Sequence, residues 1–421
     1  MSEEKKLFLE SLFSEAIAAA DPAKIMKNFI PEPPKGRTVL VGVGKGVSQM
    51  AHSFEKHYRA PISGTVVTRY GHKKDCNSIT TLEASHPIPD QNGLKASQEL
   101  IKLVSGLGPD DLVVALISGG GSALTPAPLG TLTLADEIEL NNRLLSSGAP
   151  ISVINLIRKH FSAIKGGRLA RAAFPAKVIS LVISDVPGDA LYQVASGITI
   201  PDVKTRVDAL SAIDEYGIVL TKKLIDFLNS PLSITPDPTD FRFAANESYL
   251  IASASKSIEA AKNKVLDKGF RPLILASDLE GDSSEVGIAQ GELALKIAKG
   301  DGSVIRPTVM LSGGETTVKL AEKIGKGGPN TEFLLSLAIK VNQTPKICGL
   351  AADTDGIDGS EDNAGGYFDP SFLGRIKSAG LNPKSLLEEH NSYTAFSTTN
   401  SLLITGPTGT NVNDFRAILI N

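Results

Sequence analysis

Short runs rich in valine, isoleucine and leucine recur at residues 38–43, 64–68, 112–117, 178–183, 273–276, 309–311 and 347–350, and longer stretches of helical period separate them. Apolar runs of this kind suit strands covered on both faces, and their alternation with helices predicts βα units around a mostly parallel sheet. Residues 1–20 read as an amphipathic helix. Their four glutamates, Glu3, Glu4, Glu10 and Glu15, are what a secretory or transit segment avoids. Asp21 with Pro22 signals a helix start, and so does Thr133 with Asp136, a capping box before an apolar stretch at 138–145.

The pattern breaks at 229–246, where SPLSITPDPTD gathers three prolines among polar residues. A join near residue 235 would divide the chain into domains at 1–235 and 236–421. The halves echo one another weakly. Ser118-Gly119-Gly120-Gly121-Ser122 and Ser312-Gly313-Gly314-Glu315-Thr316 each follow an apolar run, and S-D-x-x-G-D occurs at 184–189 and 277–282. The length, 421 residues, agrees with two or three domains, and 42% hydrophobic with 21% charged residues is a globular balance. A formal charge of −3 offers no basic field for a polyanion, which excludes nucleic acid as the main partner. Cys76 and Cys348 are too few for a disulfide framework or a four-ligand zinc site. The longest uncharged stretch, 112–135, is broken by glycines and prolines and predicts no membrane span. A soluble, cytoplasmic protein is expected.

Candidate chemistry lies where predicted strands end, the place where open α/β sheets bind ligands. Residues 42–48, Gly-Val-Gly-Lys-Gly-Val-Ser, fit neither the Walker spacing nor the dinucleotide pattern, which needs glycine where Val47 stands. Gly44 and its neighbours still bring backbone donors to a helix start, and Lys45 adds a charge. Ser118, Gly119, Gly120, Gly121 and Ser122 form a turn with no Cβ to hinder phosphate oxygens, and Ser312, Gly313 and Gly314 repeat it beside Glu315. Asp185, Asp189, Asp278, Asp282 and the run 353–358 suit a hard cation shared with phosphates. Ala364 stands where a calcium loop beginning at Asp353 would need glutamate, so an EF-hand is excluded. Asn155, Arg158, Ser162 and Lys165 share a face if 155–165 is helical, with Gly166-Gly167 as its C-cap. His86 is expected to be structural, since no metal-like spacing links the six histidines.

Nine segments, VGVGKG (41–46), SHPIPD (85–90), ISGGGSAL (117–124), NLIRKHFSAIKGGRLA (155–170), ISDVPGD (183–189), LSGGETTV (311–318), GKGGPNTE (325–332), AADTDGIDG (351–359) and TGPTGTNVNDF (405–415), together resemble the glycerate 2-kinase family with a MOFRL-type C-terminal domain. The resemblance implies an α/β chain of two domains, an N-terminal Rossmann-like domain and a smaller C-terminal one, with an ATP- and Mg²⁺-dependent site in the cleft between them. It implies phosphorylation of the 2-hydroxyl of D-glycerate and leaves open assembly as a homo-oligomer. Lys45 stands where the family's catalytic lysine is found. Pro329 stands where the family often has arginine, and Ala195-Ser196-Gly197-Ile198-Thr199 departs from its usual ASGPT.

Under this reading Lys45 and the 118–122 turn stabilise the phosphoryl group and Asp185 is the base. Asp189 and Asp353, with Glu315 in reach, serve Mg²⁺, and Arg158, Lys165 and Arg168 pair with the carboxylate or the phosphates. The competing reading is a nicotinamide-dependent reductase of hydroxypyruvate or a related 2-hydroxy acid. The missing third glycine speaks against it, as does Arg69 where an acidic residue should end the second strand.

Overall fold

The computed structural model describes residues 3–300, 304–318 and 325–421. The chain forms two compact units, one from Ile25–Ile251 and the other from the residues up to Lys24 together with Ala252–Asn421.

The first unit is built on strands β1 (Thr38–Val43), β2 (Ile62–Arg69), β3 (Ile79–Ala84), β4 (Leu112–Ile117), β5 (Lys177–Ser184) and β6 (Glu247–Ser253), in the order β3-β2-β1-β4-β5-β6. Strands β1 to β5 pair in parallel. Every residue of β1 and β4 is buried, as the continuous apolar runs require. Val41, Val43, Val67, Val113, Ile117 and Val182 pack into one core with Leu100 and Leu169. Each such buried side chain contributes about 1.5–3 kcal/mol relative to exposure. The prolines of 229–246, where the sequence places the join, lie within this unit. His160 Nδ1 contacts the Ser233 carbonyl at 2.9 Å, and Arg168 donates to the Leu232 and Ser233 carbonyls.

A helical layer in the same unit packs Leu140, Leu144, Ile157, Phe161, Leu224 and Leu228 together. Thr133 and Asp136 form the expected capping box of the helix Leu134–Ser146. The expected helical face through Arg158, Ser162 and Lys165 does not form. The helix Ile151–Arg158 ends at Arg158, and Ser162 is extended because the chain there bonds alongside residues 127–129: Leu129 N donates to Phe161 O and Ala163 N to Ala127 O. Gly166 and Gly167 both have positive φ, and Gly167 is the N-cap of Arg168–Ala173 rather than a C-cap.

The second unit holds a mixed sheet of β7 (Arg271–Asp282), β8 (Thr308–Thr317), β9 (Ile347–Asp353), β10 (Gly365–Phe368), β11 (Leu402–Leu403) and β12 (Asp414–Ile420), in the order β11-β10-β9-β12-β8-β7. Among the described residues β7 and β8 pair in parallel, whereas β8–β12, β12–β9, β9–β10 and β10–β11 are antiparallel. One face packs on the helix Glu3–Ala20 through Leu9, Leu12, Phe13 and Ala16. The other packs on the helix Pro329–Val341. Residues 312–317, expected as a loop, are strand. Gly314 has φ +112, and a Cβ there would lie 2.2 Å from the Leu279 backbone, so its glycine serves close strand pairing. The second S-D-x-x-G-D likewise lies within β7.

Lys165 is fully buried and donates to Glu137 Oε1 at 2.9 Å and to the Thr125 carbonyl at 3.2 Å, while Glu137 Oε2 accepts from Ala127 N. Removing one partner of such a pair leaves a buried uncompensated charge. Lys165→Met should therefore lower stability by about 3–5 kcal/mol. Chemical denaturation measures this; a loss under 1 kcal/mol would show that the pair is not structural.

Candidate active site

The strand order of the first unit reverses direction between β1 and β4, the position at which doubly wound sheets open a ligand crevice beyond their strand ends. The two strand ends are sewn together there. Ser118 N donates to Val43 O at 3.0 Å, Lys45 N to Gly119 O at 2.8 Å, and Gly46 N to Ser118 Oγ at 3.1 Å. Gly44 has φ +134, and a Cβ on it would lie 2.2 Å from Ser118 Oγ. The glycines of the first loop thus let two backbones touch, and the helix Val47–His57 begins directly behind them.

Three polar side chains meet over this seam. A Cβ on Gly120 would lie 2.9 Å from Lys45 Cγ and 3.2 Å from His86 Cδ2. One on Gly119 would lie 1.8 Å from Asp185 Oδ2. Lys45, His86 and Asp185 therefore converge on the first two glycines of the turn. Burial raises the pKa of Asp185 above the ordinary carboxylate value, and the nearby Lys45 charge partly opposes the shift. Burial, with Lys45 and Arg69 beside it, lowers His86 to about 4, so its imidazole is neutral at physiological pH. His86, expected to be structural, belongs to this group; its signal was its place just past a strand in SHPIPD, where β3 ends.

Gly121 and Ser122 complete the turn. Ser122 Oγ lies 2.7 Å from Ser196 Oγ, and Ser196 donates to Asn155 Oδ1 at 3.0 Å. Ala195, Ser196 and Gly197 all have positive φ, a costly run in which two members are not glycine. Their backbone is pinned by Gly166 N to Ser196 O and Gly167 N to Gly197 O. Asp189 lies in the neighbouring turn Pro187–Asp189, itself at φ 54.

The three basic candidates are not equivalent. Lys165 is tied to Glu137, and Arg168 to the 232–233 carbonyls. Arg158 Nε is buried without a hydrogen-bond partner, and burial lowers the pKa of this arginine to about 10 against the pull of Glu137.

In the second unit Ser312 Oγ accepts from Gln290 Nε2 at 3.0 Å, Gly313 O from Arg416, and Glu315 is exposed across from Glu280. Asp353 ends β9 opposite Asp414 of β12. Burial, Asp355 and Asp414 raise its pKa well above the ordinary value. Asp414 is held by Asn330 Nδ2 at 2.6 Å and by Arg416, which is fully buried over the Phe333 ring. Asp358, pushed up to about 6 by burial, accepts from Asn330 N and Thr331 N at 2.8 and 2.9 Å and caps the helix Pro329–Val341. Among the described residues no three His, Cys, Asp or Glu side chains are grouped to hold a metal ion, and no helix is long and apolar enough to cross a membrane.

Two family models match the chain: a domain of unknown function, DUF4147, over residues 8–229, and the MOFRL family over residues 308–414. A putative hydroxypyruvate reductase from Agrobacterium vitis is 49% identical over 98% of this chain and 94% of its own. The D-glycerate 2-kinase of Thermotoga maritima is 38% identical over 99% of this chain and 98% of its own. The crystal structure of a glycerate kinase from Thermotoga maritima superposes with a TM-score of 0.90 at 36% identity, covering 100% of both chains. The chain belongs to the glycerate 2-kinase family with a MOFRL-type C-terminal domain. As a member of that family it departs at Pro329 in a way its geometry accommodates. Position 329 is the first residue of a helix whose next two amides serve Asp358, so a residue without an N–H costs no bond there.

A raised carboxyl pKa means that the folded state binds the proton more tightly than the unfolded chain, so Asp185 lowers stability as pH rises through its folded-state value. Asp185→Asn removes that loss. It should raise the melting temperature at pH 8 by about 2–6 °C, with a smaller gain at pH 5, while turnover collapses. Thermal melts at the two pH values check this, and a fall in melting temperature at pH 8 would mean that the carboxylate is structural.

Proposed function

We propose that this protein transfers the γ-phosphoryl group of ATP to the 2-hydroxyl of D-glycerate, giving 2-phospho-D-glycerate and ADP. The observation that carries the reading is the convergence of Lys45 and Asp185 on a glycine turn at the sheet's switch point, in a chain with glycerate kinase relatives over nearly its whole length. Phosphoryl transfer asks for positioning and charge neutralisation more than covalent help. Asp185, with its raised proton affinity, accepts the hydroxyl proton as the new O–P bond forms and the bond to the β-phosphate oxygen breaks. Lys45 neutralises charge on the group in transit, and the amides of residues 119–121 face its oxygens without Cβ hindrance. His86, neutral beside Lys45, adds no charge of its own to the group.

Mg²⁺, when bound, supplies further neutralisation of the phosphates. Asp353, the carboxylate that ends β9, is proposed as a ligand for it. Asp189 of the first unit and Glu315 of the second are each proposed as a metal ligand within its own unit. Ser312, Gly313 and Gly314 keep a proposed phosphate role towards the C-terminal end of β8. Of the basic trio, Arg158 is proposed to meet an anionic ligand, whereas Lys165 and Arg168 act by holding their segments. A soluble cytoplasmic setting, alone or as a homo-oligomer, suits the composition.

The reductase reading draws on the names of two relatives, both called putative hydroxypyruvate reductases. It sits poorly with the first loop, where the Lys45 amide is spent on Gly119 O and Val47 replaces the glycine that packs a dinucleotide helix. Incubation with ATP, Mg²⁺ and D-glycerate, followed by phosphorus NMR, should show 2-phosphoglycerate and ADP. Lys45→Met should cut turnover by about 10²–10³ with a much smaller change in glycerate affinity. NADH oxidation on hydroxypyruvate without ADP formation from glycerate would refute the proposal.

A further inference from the structure

We propose that Arg69 holds the carboxylate of the acceptor, a small 2-hydroxy acid. The inference rests on the acceptor class named above and identifies the side chain that recognises it.

Arg69 is the last residue of β2. Val43 of β1 pairs with Val67, and Arg69 itself pairs with Ala84 at the end of β3. Beyond the paired residues the contacts continue: Thr68 Oγ1 donates to Lys45 O at 3.1 Å, and Tyr70 N donates to Ala84 O at 3.3 Å. Lys45, Arg69 and His86 therefore leave three neighbouring strands at the same end of the sheet, each within two residues of its strand's last one. Arg69 and Lys45 both act electrostatically on His86, which agrees with their shared place at the strand ends.

The guanidinium is oriented but not neutralised. Its Nε donates to His72 Nε2 at 2.6 Å, across the tight turn in which His72 N donates to Arg69 O. That bond sets the plane of the fork. Among the described residues no carboxylate pairs with the two terminal nitrogens. The carboxylates nearby are engaged elsewhere: Asp90 accepts from Tyr70 Oη at 2.6 Å and Gly93 N at 2.8 Å, and Glu83 accepts from Gly71 N at 2.7 Å.

Lys45 and Arg69 each bring one positive charge to this end of the sheet beside a neutral His86, which suits an anionic ligand. A planar fork selects a carboxylate over a spherical anion. In a 2-hydroxy acid the carboxylate carbon is bonded directly to the carbon bearing the hydroxyl. A clamp on the carboxylate consequently fixes the 2-hydroxyl, whereas the 3-hydroxyl stays one rotatable bond farther away. Lys165 and Arg168 are committed to partners of their own and cannot perform this task without releasing them.

Titration calorimetry of the full chain with D-glycerate, and separately with a nonhydrolysable ATP analogue, tests the assignment without relying on turnover. Arg69→Gln should weaken glycerate binding by roughly 10- to 100-fold, the usual worth of a charge-assisted pair, and leave nucleotide affinity within about twofold. Arg69→Lys keeps the charge but loses the fork, so it should fold as the wild type does and bind glycerate at an intermediate strength. Unchanged glycerate affinity in either variant overturns the proposal, as does a loss that falls on the nucleotide instead. Wild-type protein that binds no glycerate would overturn this inference and the kinase reading together, whereas wild-type binding with unaffected variants overturns the inference alone.

Discussion

The first unit depends on a contact that is almost entirely backbone: the seam at which the ends of β1 and β4 hydrogen-bond across the switch point. Ser118 N to Val43 O and Lys45 N to Gly119 O are ordinary bonds in length, but they form between segments that have already left their strands. Such an approach is open only to a residue without a Cβ at Gly44, where one would lie 2.2 Å from Ser118 Oγ. Once the seam is closed, the direction of Lys45 follows, because its own amide is held, and the turn presents Gly119 to Asp185 and Gly120 to both Lys45 and His86. The chemistry is thus set by where side chains are missing as much as by where they are present.

Around that seam the protein buries charge at some cost. Asp185 carries a raised proton affinity, Arg158 lies buried beside a carboxylate already paired with Lys165, and Ala195 and Ser196 hold left-handed backbone. Such features destabilise a fold unless the surroundings over-determine them, and they concentrate where function needs them. The second unit shows the complementary practice. Its buried acids are largely satisfied, Asp358 by helix amides and Asp414 by Asn330 and Arg416, leaving Asp353 at a strand end with like-charged neighbours.

Much of this was legible in the chain. Strands such as β1 and β4 are continuous apolar runs and could be read directly, and the glycine loops after them announced the switch point. The strands that escaped, β3, β6, β10, β11 and β12, are short, partly polar or edge elements whose pairing depends on distant partners. Residues 155–165 misled for a similar reason: their helical spacing was genuine, but the bonds from residues 127–129 pull Ser162 into extended form, and nothing local reports that contact. At the site, Lys45 and Asp185 could be proposed from their loops. The role of His86 could not, since a lone histidine shows its neighbours only after three strand ends are brought side by side.

The convergence of Lys45 with His86 over the glycine turn is the claim on which the chemical account stands, and NMR titration of the His86 ring tests it most directly. In the wild-type protein His86 should titrate near 4, well below its ordinary 6.5. In Lys45→Met the value should rise part of the way back, because one of the two facing cations is gone while burial remains. An ordinary wild-type value, or one that ignores the substitution, would contradict the account.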